Sequence, residues 1–238
     1  MGEDAAGQKG MAGGLMRRRA FLAGGVGMGL ALPLLGPTSA RAALPGIPSS
    51  GQVAFKVYRK GAHIGEHDLR FDMDGDNLTV TVHVHIVVKI GPVPVYNYTH
   101  RSTEHWRGDR FVNMDSATQS NVSKHKVSAV RMGDGVHVEP ATLAPYVAPV
   151  GAVPLTHWNR SIYGGPLFNP DDGKPLRITV ANKVEDMVKL DDGSSVSATH
   201  YTLVGEAVQM EDYYDSSGVW TGLRAKVEDG SFVDYRRV

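Results

Sequence analysis

The sequence predicts a mainly β protein: a single antiparallel meander rolled into a β-barrel or a strongly curved sheet, with one proline-rich crossover. Three observations carry that expectation. The run Leu78–Val88 alternates cleanly, with Leu78, Val80, Val82, Val84, Ile86 and Val88 on one face and Thr79, Thr81, His83 and His85 on the other. Asp-Gly and Gly-Asp turn signals punctuate the rest of the chain at strand-like intervals. Between Pro140 and Pro175 the alternation lapses and prolines cluster.

A period of two means one buried face and one wetter face, and the β-branched residues filling the run favour the pleated conformation over a helix. At about 3.3 Å per residue the run spans roughly 36 Å, about twice an ordinary strand. Such a strand, apolar on one side, needs a closed barrel, a curved sheet or a covering helix to hide it.

In chain order, the first forty residues read as an export address. Arg17, Arg18 and Arg19 precede Phe21 and Leu22, a Gly-rich apolar run reaches Leu35, and Ala40-Arg41-Ala42 has the small-x-small pattern of a cleavage site. The Arg18-Arg19-Ala20-Phe21-Leu22 core resembles a twin-arginine signal, read by the export machinery. It departs at Arg17, where Ser or Thr is usual, and at Ala23, where Lys is common; an ordinary secretory signal is the alternative. The apolar run is shorter than the roughly 20 residues of a membrane span, and no later stretch reaches that length. The expected organisation is therefore a cleavable signal over 1–42, a tether over 43–52 and one β-rich domain over 53–238, free in the periplasm.

The whole chain is neutral at pH 7. The signal holds Lys9, Arg17, Arg18, Arg19 and Arg41 against Glu3 and Asp4, which leaves the mature part mildly acidic. That balance offers nothing to a nucleic acid or an anionic membrane. Cysteine is absent, which rules out disulfides, thiolate metal sites and thiol nucleophiles.

Strands are expected over 53–60, 64–73 and 78–88, then over 96–106, 111–119, 122–132 and 136–139. After the crossover they resume over 176–184, 187–190, 196–205, 208–214, 219–227 and 231–236. The crossover suggests a short helix at Leu155–Ile162, capped by Thr156 and anchored by Trp158, covering an open end or face of the sheet.

The segments FKVYRKGAHIGEHDLRF, VVKIGPVPVYNYTHRSTEHWR, HWN and YYDSSGVWTGLRAKVEDGSFVDYRR resemble an exported proteobacterial domain-of-unknown-function family (domain of unknown function 6134-like). The resemblance covers nearly all of the mature chain. It implies a signal peptide followed by one β-rich domain, and it supplies no activity or catalytic residue.

Four groups of residues are candidates for function. His83 and His85 share a strand face and would hold a metal if His100 joined them. If instead the valine face pairs with Tyr96, Tyr98 and Trp106, then His100 lies on the apolar side away from them; burying three aromatics favours this second register. Glu66-His67-Asp68, Glu104-His105 and Asp212 with Tyr213 suggest acid–base groups. Neighbouring strand residues point opposite ways, however, and His67 shares parity with Leu69 and Phe71, as a hydrogen-bonded core-edge histidine would. The loop Val88–Val95, with Val88, Ile90, Val93 and Val95, either caps the sheet or forms an apolar lip beside a ligand entrance or a partner surface. Finally, Val80, Val82, Val84, Tyr96, Tyr98 and Trp106, with Trp158 of the crossover, would line an interior that is either filled or hollow.

No G-x-S-x-G elbow, H-E-x-x-H helix or phosphate-cradling loop occurs in the mature domain, so no cofactor is expected. The leading expectation is a periplasmic protein that binds an apolar small molecule or lipid without chemistry. An envelope scaffold docking through the Val88–Val95 loop is the alternative, and a histidine-based metal enzyme comes third.

Overall fold

A computed structural model describes residues 46–238 apart from Ala207 and Glu228. Arg18, Arg19, Phe21, Leu22 and the cleavage site after Ala42 lie outside the described residues.

The alternation becomes a long meander. The strands before the crossover are β1 (Gln52–Arg59), β2 (Ala62–Asp74), β3 (Asn77–Ile90), β4 (Val93–Arg107), β5 (Arg110–Ser120), β6 (Lys124–Arg131) and β7 (Val136–Pro140). The crossover holds the short β8 (Tyr146–Ala148), β9 (Val153–Pro154), β10 (Leu167–Phe168) and β11 (Pro175–Leu176). The return is made by β12 (Ile178–Lys189), β13 (Ser195–Gly205), β14 (Val208–Tyr214), β15 (Trp220–Lys226) and β16 (Phe232–Arg237).

One antiparallel sheet takes thirteen of these in the order β12-β13-β14-β15-β16-β1-β2-β3-β4-β5-β6-β7-β8, and β11-β10-β9 form a second, small sheet. The last strand pairs with the first, Val57 opposite Tyr235, so the two ends of the domain meet inside the sheet. The sheet is open, with β12 and β8 at its edges. Of the two expected architectures, the strongly curved sheet describes it.

Its curvature shows along a single rung. Leu223, Tyr235, Val57, Gly65, Ile86 and Tyr98 form one rung across β15, β16, β1, β2, β3 and β4. In a flat sheet the ends of that rung would stand roughly 24 Å apart. Leu223 and Tyr98 instead border the same interior cavity.

The inner face is the predicted one. Leu78, Val80, Val82 and Val84 are buried, while Thr81 and His85 are exposed. Opposite them on β4, Trp106, Glu104, Ser102 and His100 are buried, with Val84 facing His100. His100 therefore lies on the face opposite His83 and His85, and the three imidazoles do not converge.

The crossover departs from expectation. In place of a helix at Leu155–Ile162 there is a single 3-10 turn, Arg160–Ile162, capped by Asn159 rather than Thr156. A helix this short lacks enough internal bonds to offset its nucleation, and the side chains of His157, Trp158 and Tyr163 are drawn instead to acceptors on the sheet. The segment still covers the inner face. Trp158 packs edge-on against Phe71 and Trp106, and Phe168 against Phe111. Gly46 tucks beneath it with φ +94°, where a Cβ would lie 2.3 Å from the Trp158 carbonyl oxygen.

The Val88–Val95 stretch is not a long loop. The strands continue through Ile90 and from Val93, leaving Gly91-Pro92 as the turn. Its side chains do not fold over the sheet end: Ile90 is 72 % exposed and Val93 58 %. Elsewhere the two expected strands at 176–184 and 187–190 are one, β12, with a bulge at Ala181. Its Val188 lies over Gly222, where a Cβ would sit 2.7 Å from the valine methyl.

Candidate functional site: a cavity inside the sheet

Two inner-facing rungs form the floor of a cavity of about 350 Å³. The first runs Phe55–His67–Val84–His100–Thr118 and the second Val53–Leu69–Val82–Ser102–Ser116, and their three middle residues border the cavity. Met210, Trp220, Leu223, Ala225 and Tyr235 close one side, and Leu155, Thr156, His157, Asp171 and Leu176 of the crossover region close the other. The wall is therefore mixed: aliphatic along Leu69, Val82, Val84 and Leu223, polar around His67, His100, Glu104 and Asp171.

Three carboxylates hold the crossover to the sheet. Asp171 accepts from Tyr98 Oη at 2.9 and 3.0 Å and from Thr118 Oγ1 at 3.3 Å, and it pairs with His100 Nδ1 at 2.9 Å. Burial pushes its pKa up, but the bonds from His100, Tyr98 and Thr118 together outweigh burial and hold it below the ordinary value. Glu104 accepts the indole N–H of Trp106 at 2.9 Å and of Trp158 at 3.3 Å. Burial dominates there and raises its pKa despite those donors. Asp212, with no exposed surface, accepts from Trp220 Nε1 at 3.0 Å, from His157 Nδ1 at 2.9 Å and from the Tyr163 hydroxyl.

His67 is the exception. It is 8 % exposed, and neither ring nitrogen has a hydrogen-bond partner among the described residues. The hydrogen-bonded role expected of it is thereby corrected: its neighbours across the rungs, Phe55 and Val84, offer no acceptor, and Trp220 and Tyr235 present ring edges at 5.2 and 5.6 Å. Burial holds its pKa well below the usual imidazole value, aided by the like charges His157, His100 and His83 can carry.

His100–Asp171 and His157–Asp212 are oriented imidazoles, the geometry of a general base. Thr118, the hydroxyl nearest His100, bonds the same nitrogen as Asp171, at 2.8 Å, so it forms no relay from base to nucleophile. A larger groove of about 760 Å³ lies outside, between the β1–β2 turn and the lip, and includes Arg59, Glu66, His85 and Ile90. The cavity, where buried Glu104 and the His100–Asp171 pair are held by hydrogen bonds, is the better-built site.

The family model described as "Domain of unknown function (DUF6134)" matches residues 55–238, from β1 to the C-terminus. The chain belongs to the DUF6134 family. Among solved structures the chain resembles a beta-barrel-like protein of domain of unknown function DUF1849 from Brucella abortus. The match has 12 % identity, a TM-score of 0.57, and covers 79 % of this chain and 94 % of that one. At that identity the likeness is one of fold. No curated protein matches.

Within this DUF6134 domain the predicted lining residues divide. Val82, Val84 and Tyr98 border the cavity. Val80 and Trp106 are buried one and two rungs further along, in the filled part of the core. Tyr96 stands at the rim, stacked on Tyr98 at 6.5 Å and 40 % exposed. Trp158 packs behind the wall and reaches it through Glu104. Of the lip residues, Val88 is half-buried and Val95 exposed. Sequence reasoning missed Asp171 and His157, and gave Asp212 no role beyond acid–base chemistry. The one available signal was parity: His100, Ser102 and Glu104 share a strand face with Trp106.

Proposed function

We propose that this DUF6134 protein is an exported periplasmic carrier that holds an apolar or amphiphilic, lipid-like molecule without transforming it. The observation that carries the reading is the interior cavity, whose volume lies at the lower end of the range for small-molecule sites. Its mixed lining suits a molecule with a tail and a small polar head. The Arg-rich leader supports export, and among the described residues no helix is long and apolar enough to cross a membrane. The test is native mass spectrometry with solvent extraction of protein purified from its own periplasm. The reading expects a small-molecule adduct that extraction removes; repeatedly bare protein with no extractable companion contradicts it.

The exposed lip favours a second reading, docking to an envelope partner. Asn121 donates to the Val95 carbonyl at 2.8 Å and accepts from the Asn97 amide at 2.9 Å, which fixes Val122, 91 % exposed, beside Val95 and its neighbours Val93 and Ile90. Photocrosslinking from position 90 separates the two readings: a protein adduct supports docking, a lipid adduct supports carriage.

A further inference from the structure

Three neighbouring hairpins turn at the same end of the sheet: Lys60-Gly61 between β1 and β2, Gly91-Pro92 between β3 and β4, and Asn121-Val122 between β5 and β6. The middle tip is apolar and uncovered. Ile90 and Val93 pair across its turn, Val95 follows, and Val122 of the next hairpin stands beside them, all exposed.

The backbone there is suited to leaving water. Pro92 and Pro94 have no N–H to strand in an apolar medium. Past Tyr98 and Ser120, the last β4–β5 pair, the Asn121 side chain stands in for the missing strand and serves the Asn97 amide and the Val95 carbonyl. Behind the tip comes a belt of cations and tyrosine. Lys60, Lys89 and Lys124 are exposed on the three hairpins, and Tyr96 lies three residues behind Val93, roughly 10 Å along the strand. The adjoining groove sets Arg59, Lys60 and Lys89 against Glu66 and Asp229, and Asp229 is already paired with Arg59 and Lys60, at 2.8 and 3.3 Å. The end is therefore locally cationic although the domain is mildly acidic.

Apolar side chains backed by lysine and tyrosine have the layering of a membrane interface, where a peripheral element enters by roughly 5–10 Å. A stable protein partner covers about 800 Å² on each side, more than four aliphatic side chains offer. We infer that the β3–β4 tip rests in an anionic lipid surface, with Ile90, Val93 and Val95 below the headgroups and Lys89 at their level. Tyr96, stacked on the cavity residue Tyr98, then stands between lipid and interior. The purpose of this contact, meeting the source of a lipid-like cargo, rests on the carrier reading.

The chain has no cysteine, so a single introduced thiol reports its own position. Ile90→Cys, Val93→Cys and Met132→Cys, the last just past the far end of β6, are labelled in the full chain with an environment-sensitive dye. Each is titrated with phosphatidylglycerol or phosphatidylcholine vesicles. With phosphatidylglycerol the dyes at 90 and 93 should shift to the blue and the dye at 132 should not; binding through any other part of the chain leaves the first two unmoved. Lys89→Gln should raise the lipid concentration at half-shift about fivefold, and Val93→Asp should abolish the shift at 90.

No shift with either vesicle, an equal response to both, an equal shift at 132, or no loss in Val93→Asp overturns the inference. The carrier reading fails separately. Protein repeatedly bare on extraction removes it while blue-shifted dyes keep the lipid contact, and unmoved dyes with an extractable adduct do the reverse.

Discussion

The Tyr98 hydroxyl donates to both carboxylate oxygens of Asp171, at 2.9 and 3.0 Å, and joins β4 to the crossover 73 residues further along the chain. Tyr98→Phe removes that tie but leaves His100 and Thr118 on the carboxylate. The Asp171 side chain is 38 % exposed, so solvent offsets part of the loss and the expected cost is about 1 kcal/mol. Asp171 has a depressed folded pKa; its stabilisation is present above the ordinary value of 3.8 and lost as pH falls through the folded value. With one donor fewer, the variant should lose stability at a higher pH than the wild type. Acid unfolding followed by circular dichroism reads both effects, and amide exchange over residues 167–176 should quicken.

Asp212 serves three donors from three places: Trp220 on β15, and His157 and Tyr163 in the crossover. Asp212→Ala leaves all three without their acceptor in a fully buried place. The expected destabilisation is roughly 3–5 kcal/mol, measured by urea unfolding. A loss below about 1 kcal/mol would mean that water or a rearrangement replaces the carboxylate.

Glu104 has the opposite sign to Asp171. Its folded pKa is raised above 4.5, so the native state keeps a proton that the unfolded chain has released, and stability falls as pH rises through that window. Glu104→Gln retains an oxygen for the Trp106 and Trp158 indoles and cannot ionise. Its unfolding midpoint should match the wild type near pH 4 and exceed it at pH 8. Glu104→Leu strands both indole N–H groups and should cost about 1–3 kcal/mol for each, at either pH.

His67 contributes a third pH dependence. Its folded pKa is lowered, so below the unfolded value near 6.5 the unfolded chain takes up a proton that the native state refuses, and stability is lost as pH falls. His67→Phe should flatten the profile between pH 5 and 8 and gain most at pH 5. Chemical denaturation at those two values decides it; an unchanged slope would mean that His67 is solvated in solution.

How much of this was legible in the sequence depends on the range of the interaction. The inward face of β3 follows from Leu78, Val80, Val82 and Val84 alone, and the side taken by His100 follows from pairing that face with Trp106. The extension of β4 to Val93 did not, because Pro92 and Pro94 read as loop; Pro94 lies opposite Lys89 where the register shifts, a position that asks less of a ladder donor. The crossover misled for another reason. Trp158 was correctly its anchor, but the partners that keep it from becoming helix, Glu104 and Asp212, lie 54 and 55 residues away. No local period encodes those pairs, and for the same reason the polar wall was visible only as unexplained polar residues on an apolar face.

The most direct test of an occupied interior is methyl NMR of the full chain titrated with 1-octanol. The account predicts that the methyls of Leu69, Val82, Val84 and Leu223 shift together and saturate. Shifts confined to Ile90, Val93, Val95 and Val122 at the lip, with the interior methyls unmoved, would contradict it.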